Sequence, residues 1–339
     1  MIKKDDLDRC ASLLSDCRKE MSFRVTGQKE MIDGLLSAMV AGGHILLEGV
    51  PGLAKTLAVK SLAEITGLDF KRIQFTPDLL PADLTGTLIW EQSSGKFSVR
   101  KGPLFANVIL ADEINRAPAK VQSALLEAME EKQVTIGETS YPLPDPFFVL
   151  ATENPIEHEG TYSLPEAELD RFLMKLLITY PQPEEELDII KNAAPFSANG
   201  GNTAKPLRAV LKTEELAFLR SAADSIHIDE GIREYIVSVV TATRPASTRQ
   251  IKGAEISKSA DGVYRYVTFG ASPRASIALY RCCRILAMFE GRAFVSPEDV
   301  KLAAYPVLRH RIVLSYEAEA EDMNADAVIS RILSHVPVP

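Results

Sequence analysis

The segment HILLEGVPGLAKT, His44 to Thr56, joins an apolar run to a glycine-containing loop, then to a lysine and a threonine that open a helical pattern. This is chemistry for holding phosphate. Backbone N–H groups of such a loop, and the positive end of the helix that follows, can surround a triphosphate. Gly49 and Gly52 allow a tight turn and a close backbone approach that a Cβ would hinder. Lys55 is spaced to reach the β- and γ-phosphates, and the Thr56 hydroxyl to ligate Mg2+. The strict pattern G-x-x-x-x-G-K-[ST] fails at one position, where Ala54 replaces the second glycine. Alanine fits there if the residue already has helical dihedrals, which is therefore the expectation for Ala54. Taken alone, the segment could equally be a strand, a turn and a helix with a solvated lysine.

A second motif changes that balance. Val108 to Glu113, VILADE, is an apolar run ending in two acids. Four apolar residues suit a strand buried on both faces of a parallel sheet. Asp112 and Glu113 then lie at its carboxyl end, where open α/β sheets bind ligands. Asp112 could hold the magnesium shell, and Glu113 could orient and deprotonate an attacking water. A helix N-cap with a first-turn charge is the alternative for an acidic pair standing alone. Both motifs in one chain point to nucleotide hydrolysis.

These groups must be positioned by a regular scaffold. Strands are predicted at 44–48, 71–75, 106–111, 146–152 and 174–179, with helical patterns at 55–66 and 117–131 between them. That alternation implies a parallel five-stranded sheet covered by helices on both faces. Two further helices precede it, over about 5–22 and around Met31 to Met39, with Gly42–Gly43 as the stop. Thr85–Leu104 and Val134–Pro144 read as hairpins turning near Ser94–Gly95 and Gly137. After LLITYP, PEEELDIIKNAA starts a helix, and a polar, glycine-rich loop follows at Ser197–Lys205. Helices are predicted at Thr213–Ala223, Asp229–Thr241, Arg274–Glu290 and Pro297–His310, with a small excursion at Asp261–Gly262. Ser272–Pro273 and Ser296–Pro297 are cap signatures for the last two. Two domains are expected, 1–182 and 183–339, the second smaller and helical.

The 339 residues suit about two domains, and 46% hydrophobic with 25% charged residues is close to a globular average. A net charge of −8 argues against a general nucleic-acid binder. MIKKDDLDRC lacks the apolar stretch of a signal peptide, and no run approaches the ~18 apolar residues of a membrane span. Cytoplasmic location is the default. Cys10, Cys17, Cys282 and Cys283 form no C-x-x-C pair and are expected as buried thiols; the histidines show no ligand spacing.

Together the motifs GVPGLAKT (49–56), ADEINRAP (111–118), ATENP (151–155), LPEAELDRF (164–172) and PVLRHR (306–311) resemble the AAA+ ATPases, and within them the MoxR family. The resemblance spans roughly residues 20–315, and an alanine at the position of Ala54 is usual in that family. It implies a P-loop AAA+ core followed by a helical lid. Nucleotide contacts fall on Gly49, Val50, Pro51, Gly52, Leu53, Ala54, Lys55, Thr56 and Leu57, with Val25, Gly27 and Gln28 as the adenine-side turn. Asn154 matches the sensor-1 amide, Arg171 an arginine finger acting on a neighbouring subunit's nucleotide, and Arg274 the sensor-2 position. Outside the resemblance, Asn154 would be a turn-former, Arg171 a partner of Asp170 or Glu168, and Arg274 a solvated first-turn residue. Arg116 is a further phosphate or interface sensor candidate. The two hairpins resemble inserts that face the channel or substrate side. The resemblance also implies ATP and Mg2+ as ligands, a hexameric ring, chaperone-like work on a client, and a von Willebrand factor A-domain partner. Two alternatives differ in class: a nucleic-acid-translocating motor, and a nucleotide-gated scaffold with negligible hydrolysis.

Overall fold

The computed structural model describes residues 2–155, 161–192, 206–245 and 263–339; the Ser197–Lys205 loop and the Asp261–Gly262 excursion lie outside the described residues. The chain divides into two compact units. One comprises Ser12–Leu164 and Leu176–Ala217, the other Met1–Ala11, Pro165–Lys175 and Phe218–Pro339.

Helices α1 (Lys4–Ser22) and α2 (Lys29–Ala41) lead into β1 (His44–Glu48) and α3 (Lys55–Thr66). Then come β2 (Phe70–Gln74), the short α4 (Pro81–Thr85), and a hairpin of β3 (Gly86–Glu91) and β4 (Lys96–Lys101). Next are β5 (Val108–Asp112), α5 (Ala119–Glu131), a second hairpin of β6 (Gln133–Ile136) and β7 (Thr139–Pro142), and β8 (Phe148–Glu153). After α6 (Glu166–Leu169), β9 (Phe172–Leu177) and α7 (Pro183–Asn192) the chain is mainly helical: α8 (Thr213–Ser225), α9 (Glu230–Ala242), α10 (Pro273–Phe289) and α11 (Pro297–Leu308). A two-stranded sheet of β10 (Val267–Phe269) and β11 (Val313–Leu314), with α12 (Tyr316–Ala320) and α13 (Ala325–His335), completes it.

The five predicted strands are present within about two residues of the expected ends, and both hairpins are present, the strands of the first ending at Lys101. Sequence reading missed β10, β11, α12 and α13. The first three have two to five residues, too few for a hydrophobic period to register.

The main sheet runs in the order β2-β5-β8-β1-β9. The pairs β2–β5, β5–β8 and β8–β1 are parallel. The first four residues of β1 and of β5 are buried, which is why both read as continuous apolar runs. Glu48 pairs with Glu153, Ala111 with Ala151, and Asp112 with Gln74. The carboxyl ends of four adjacent strands are therefore level.

Local chemistry ends the helices where it should. Gly42 closes α2 in a left-handed conformation, its N–H reaching Ala38 O and Met39 O. Ser272 caps α10 by accepting from Arg274 N, with Pro273 at the first helical position. Ser296 and Asp299 form a capping box on α11, and Asp299, buried, also takes a two-pronged pair from Arg292 at 2.6 and 2.8 Å.

All four cysteines are free and buried, as expected. Burial pushes the thiols of Cys10 up to about 11 and of Cys17 and Cys282 to about 12, so they stay protonated and unreactive. Among the described residues, no helix is long and apolar enough to cross a membrane.

Candidate active site

The segment expected to bind phosphate leaves β1 at Glu48 and enters α3 at Lys55. A Cβ at Gly49 would stand 2.8 Å from Ile178 O and 2.9 Å from Ile178 Cβ, so glycine is required by close approach. Gly52 has φ +89° with open space around it, so there the backbone conformation is what requires glycine. Ala54 corrects the sequence expectation. Its dihedrals are φ 55°, ψ 18°, left-handed rather than helical. The chain reverses at this N-cap to bring its carbonyl into the first helical bond, Ala58 N to Ala54 O at 2.9 Å. A left-handed alanine costs about 1–2 kcal/mol, and such strain concentrates at functional turns.

Lys55 Nζ donates to Gly49 O at 2.6 Å and draws the two ends of the loop together. Burial lowers the Lys55 pKa, while the carboxylates of Asp112, Glu113 and Glu48 act in the opposite sense. The lysine of the first motif thus lies in the field of both acids of the second. Thr56 and Leu57 follow on the first turn of α3, with Leu57 exposed.

Thr152, buried on β8, fixes both acids. Its hydroxyl donates to Asp112 Oδ1 at 2.7 Å and accepts from Glu113 N at 2.8 Å. Glu113 is also left-handed, φ 55° and ψ 53°, which turns its side chain away from the alternation of β5. Asp112 Oδ2 accepts from Arg72 Nε at 2.9 Å and Nη2 at 2.6 Å. Glu113 Oε2 accepts from Gln74 Nε2 at 2.7 Å and from Arg116 Nη1 at 2.9 Å. Arg72 Nη2 also donates to Gln74 Oε1 at 2.8 Å, joining the two acids through one face of β2. Asn154, buried, directly follows β8, beside the loop start, where Gly49 N donates to Glu153 O at 3.3 Å.

The turn Val25–Gln28 lies in the same unit. Val25 is buried, Gly27 has φ +71°, and Gln28 Nε2 donates to Thr179 O at 3.1 Å. A cavity of about 430 Å³ opens there, lined by Arg18, Val25, Gly27, Gln28, Ile32 and Glu185 among others.

Arg171 and Arg274 belong to the other unit. Arg171 stands between α6 and β9, and Arg274 in the first turn of α10. The Asp170 carboxylate takes Arg311 Nε at 2.7 Å and Ser272 Oγ at 2.7 Å.

The sequence-predicted residues 25–28, 49–57, 112, 113, 116 and 154 therefore share one unit, and Arg171 and Arg274 the other. Sequence reading missed Arg72, Gln74, Thr152 and Arg311. Arg72 and Gln74 carry no motif, although they sit two apart on a strand and so share a face, and Thr152 lay inside ATENP without an assigned role. Arg311 lay inside PVLRHR without an assigned role.

The donor set suits magnesium. Among the described residues no cluster of three or more His, Cys, Asp or Glu could hold a metal by itself. Mg2+ does not require one, because it uses one or two carboxylates, waters and the phosphates of its nucleotide.

Two family models match the chain: the ATPase family associated with various cellular activities over residues 44–174, and the AAA lid domain over 261–332. Chaperone MoxR1 of Mycobacterium tuberculosis is 46% identical over 94% of this chain and 81% of its own. YeaC of Bacillus subtilis is 42% identical over 96% of this chain and 95% of its own. A candidate ATPase from Cytophaga hutchinsonii, solved by crystallography at 2.00 Å, is 47% identical, with a TM-score of 0.86 over 99% of this chain and 97% of its own. Sequence, fold and local geometry agree, and the chain belongs to the MoxR family of AAA+ ATPases.

Proposed function

We propose that this protein hydrolyses ATP to ADP and phosphate in a cytoplasmic ring, and uses the cycle for chaperone-like remodelling of a client. Residues 1–182 serve as the nucleotide-binding core and 183–339 as the lid. The observation that carries this reading is the meeting of the Gly49–Thr56 loop, the Asp112–Glu113 pair and Asn154 at level strand ends, with Lys55 in the field of both acids.

Loop amides from Gly49 to Leu57 and the Lys55 ammonium bind the phosphates. Val25, Gly27 and Gln28 border the base. Thr56 and Asp112, directly or through water, would hold Mg2+, which would neutralise charge on the phosphates. Glu113 takes a proton from the attacking water, and the Asn154 amide orients that water. Gln74 and Arg116 hold Glu113, and Arg72 holds Asp112, so both acids exchange these partners when they engage the nucleotide. Arg274 serves as the sensor-2 arginine, and Arg171 reaches the neighbour's nucleotide. A finger supplied in trans contributes about 10³–10⁵ in rate, so a lone subunit turns over very slowly. A hexamer and a partner with a von Willebrand factor A domain complete the proposal.

Phosphate release per subunit should rise with protein concentration as the ring assembles. Glu113→Gln should lower it by about 10²–10⁴-fold. A rate that stays flat on dilution into verified monomer rejects the shared site. Equal rates for the parent and Glu113→Gln reject hydrolysis here.

A further inference from the structure

All three guanidinium nitrogens of Arg311 donate hydrogen bonds. Its side chain is 3% exposed. Nε donates to Asp170 Oδ1 at 2.7 Å, Nη2 to Asp170 O at 3.2 Å and to Phe172 O, and Nη1 to Leu173 O at 3.1 Å and to Val307 O. The guanidinium thus grips backbone on both sides of Arg171 while its own chain continues from α11. Beside it, His310 Nε2 lies 3.1 Å from Phe172 O, and Arg309 Nη1 donates to Lys175 O at 3.0 Å. Three consecutive side chains therefore hold the strand that begins just after Arg171. The second oxygen of Asp170 accepts from Ser272 Oγ at 2.7 Å, and that same Oγ accepts from Arg274 N at 3.1 Å. One carboxylate is linked to the backbone of both arginines within a single unit.

We propose that Asp170 and Arg311 are positioning residues that hold Arg171 in register with the helix bearing Arg274, so that the two arginines move as one body. This rests on the shared-site reading above. The physical need is clear: an arginine finger acts through geometry, and a misplacement of about 1 Å can cost on the order of 10²-fold in rate. A residue between a four-residue helix and a strand has little local structure to fix it. Fork-shaped donation to carbonyls on both sides supplies that fixation, which a lysine's single point of donation does not.

The test uses full-length chain in mixed rings. Glu113→Gln keeps a competent finger but loses its own site; Arg171→Ala loses the finger and keeps its site. Mixing these two should restore phosphate release if the site is shared. Asp170→Asn, mixed with Glu113→Gln, should be rescued in the same way, because its defect lies in what it presents to the neighbour. As a uniform ring, Asp170→Asn should lose about tenfold or more in kcat, with its Kd for a fluorescent ATP analogue within about twofold of the parent. Arg311→Lys and Ser272→Ala, which leave the carboxylate in place, should lower kcat by less, again with little change in KM. Circular dichroism and gel filtration verify fold and assembly. If Asp170→Asn does not fold, the kcat loss in these two milder variants decides, and unchanged kcat in both overturns the proposal. Rescue of Arg171→Ala without rescue of folded Asp170→Asn also overturns it. Rescue of neither removes the shared site, and this inference with it.

Discussion

Asp112 is held by Arg72, whose side chain is 49% exposed, whereas Asp170 is held by Arg311, which is 3% exposed. Both are aspartates at a strand end beside a proposed reacting group, and both take a guanidinium, yet the environments assign them opposite tasks. Beside the buried Thr152 hydroxyl, the side-chain partners of Asp112 and Glu113 are exposed cations and an amide, and exposed pairs of that kind contribute at most about 1 kcal/mol. They can be exchanged for metal, water and phosphate at little cost. Around Asp170 the cation is out of water and each nitrogen of its guanidinium donates to a carbonyl or carboxylate oxygen, so breaking the pair leaves an uncompensated charge. The difference teaches where this molecule is built to rearrange and where it is built to stay.

The largest effect is expected at the buried pair. Asp170→Ala strands Arg311 and should lower the unfolding free energy of its unit by about 3–5 kcal/mol, read from denaturant midpoints. A loss below about 1 kcal/mol would place the pair in the same class as Arg72–Asp112.

Acid is the next largest probe, directed at the fixed part of the other unit. His44 Nδ1 accepts from Val149 N at 3.0 Å, which leaves the proton on Nε2 facing Met129 O at 3.3 Å. Burial pushes the His44 pKa down from 6.5 to about 4, so the fold holds the neutral ring and the unfolded chain takes up the proton first. Stability from this group is complete above about pH 6.5 and is lost as pH falls towards 4, by roughly 3 kcal/mol. Unfolding of the parent and of His44→Gln across that range should show a steeper slope in the parent. Parallel slopes would place the proton uptake elsewhere.

A smaller effect separates strain from function. Ala54→Gly relieves a left-handed alanine and should stabilise by up to about 1 kcal/mol, measured by thermal unfolding. A destabilised variant would mean that alanine's restriction of the unfolded chain outweighs the strain. The smallest change belongs to Arg72→Ala, which should shift stability by less than about 1 kcal/mol, confirming that its hold on Asp112 is exchangeable. A larger loss would erase the contrast with Arg311.

Much of the fold and site was legible in the chain because the signals are local. The apolar runs of β1 and β5, the glycines and the lysine–threonine pair, and the acids after VILA each declare themselves within a few residues. The failures were of two kinds. Ala54 was expected to be helical because residue identity alone gives no sign of a left-handed alanine; the turn into α3 imposes it. Arg72, Gln74, Thr152 and Arg311 were missed because their partners are 39 to 141 positions away.

Residue type and short spacing in the chain were enough for the family and the parallel sheet, and they supplied the groups proposed to bind and cleave a triphosphate. Only the tertiary structure decided which charges are exchangeable and which are locked. That depends on how much water each ion pair keeps, and exposure is set by segments far apart in the chain packing over the same side chain.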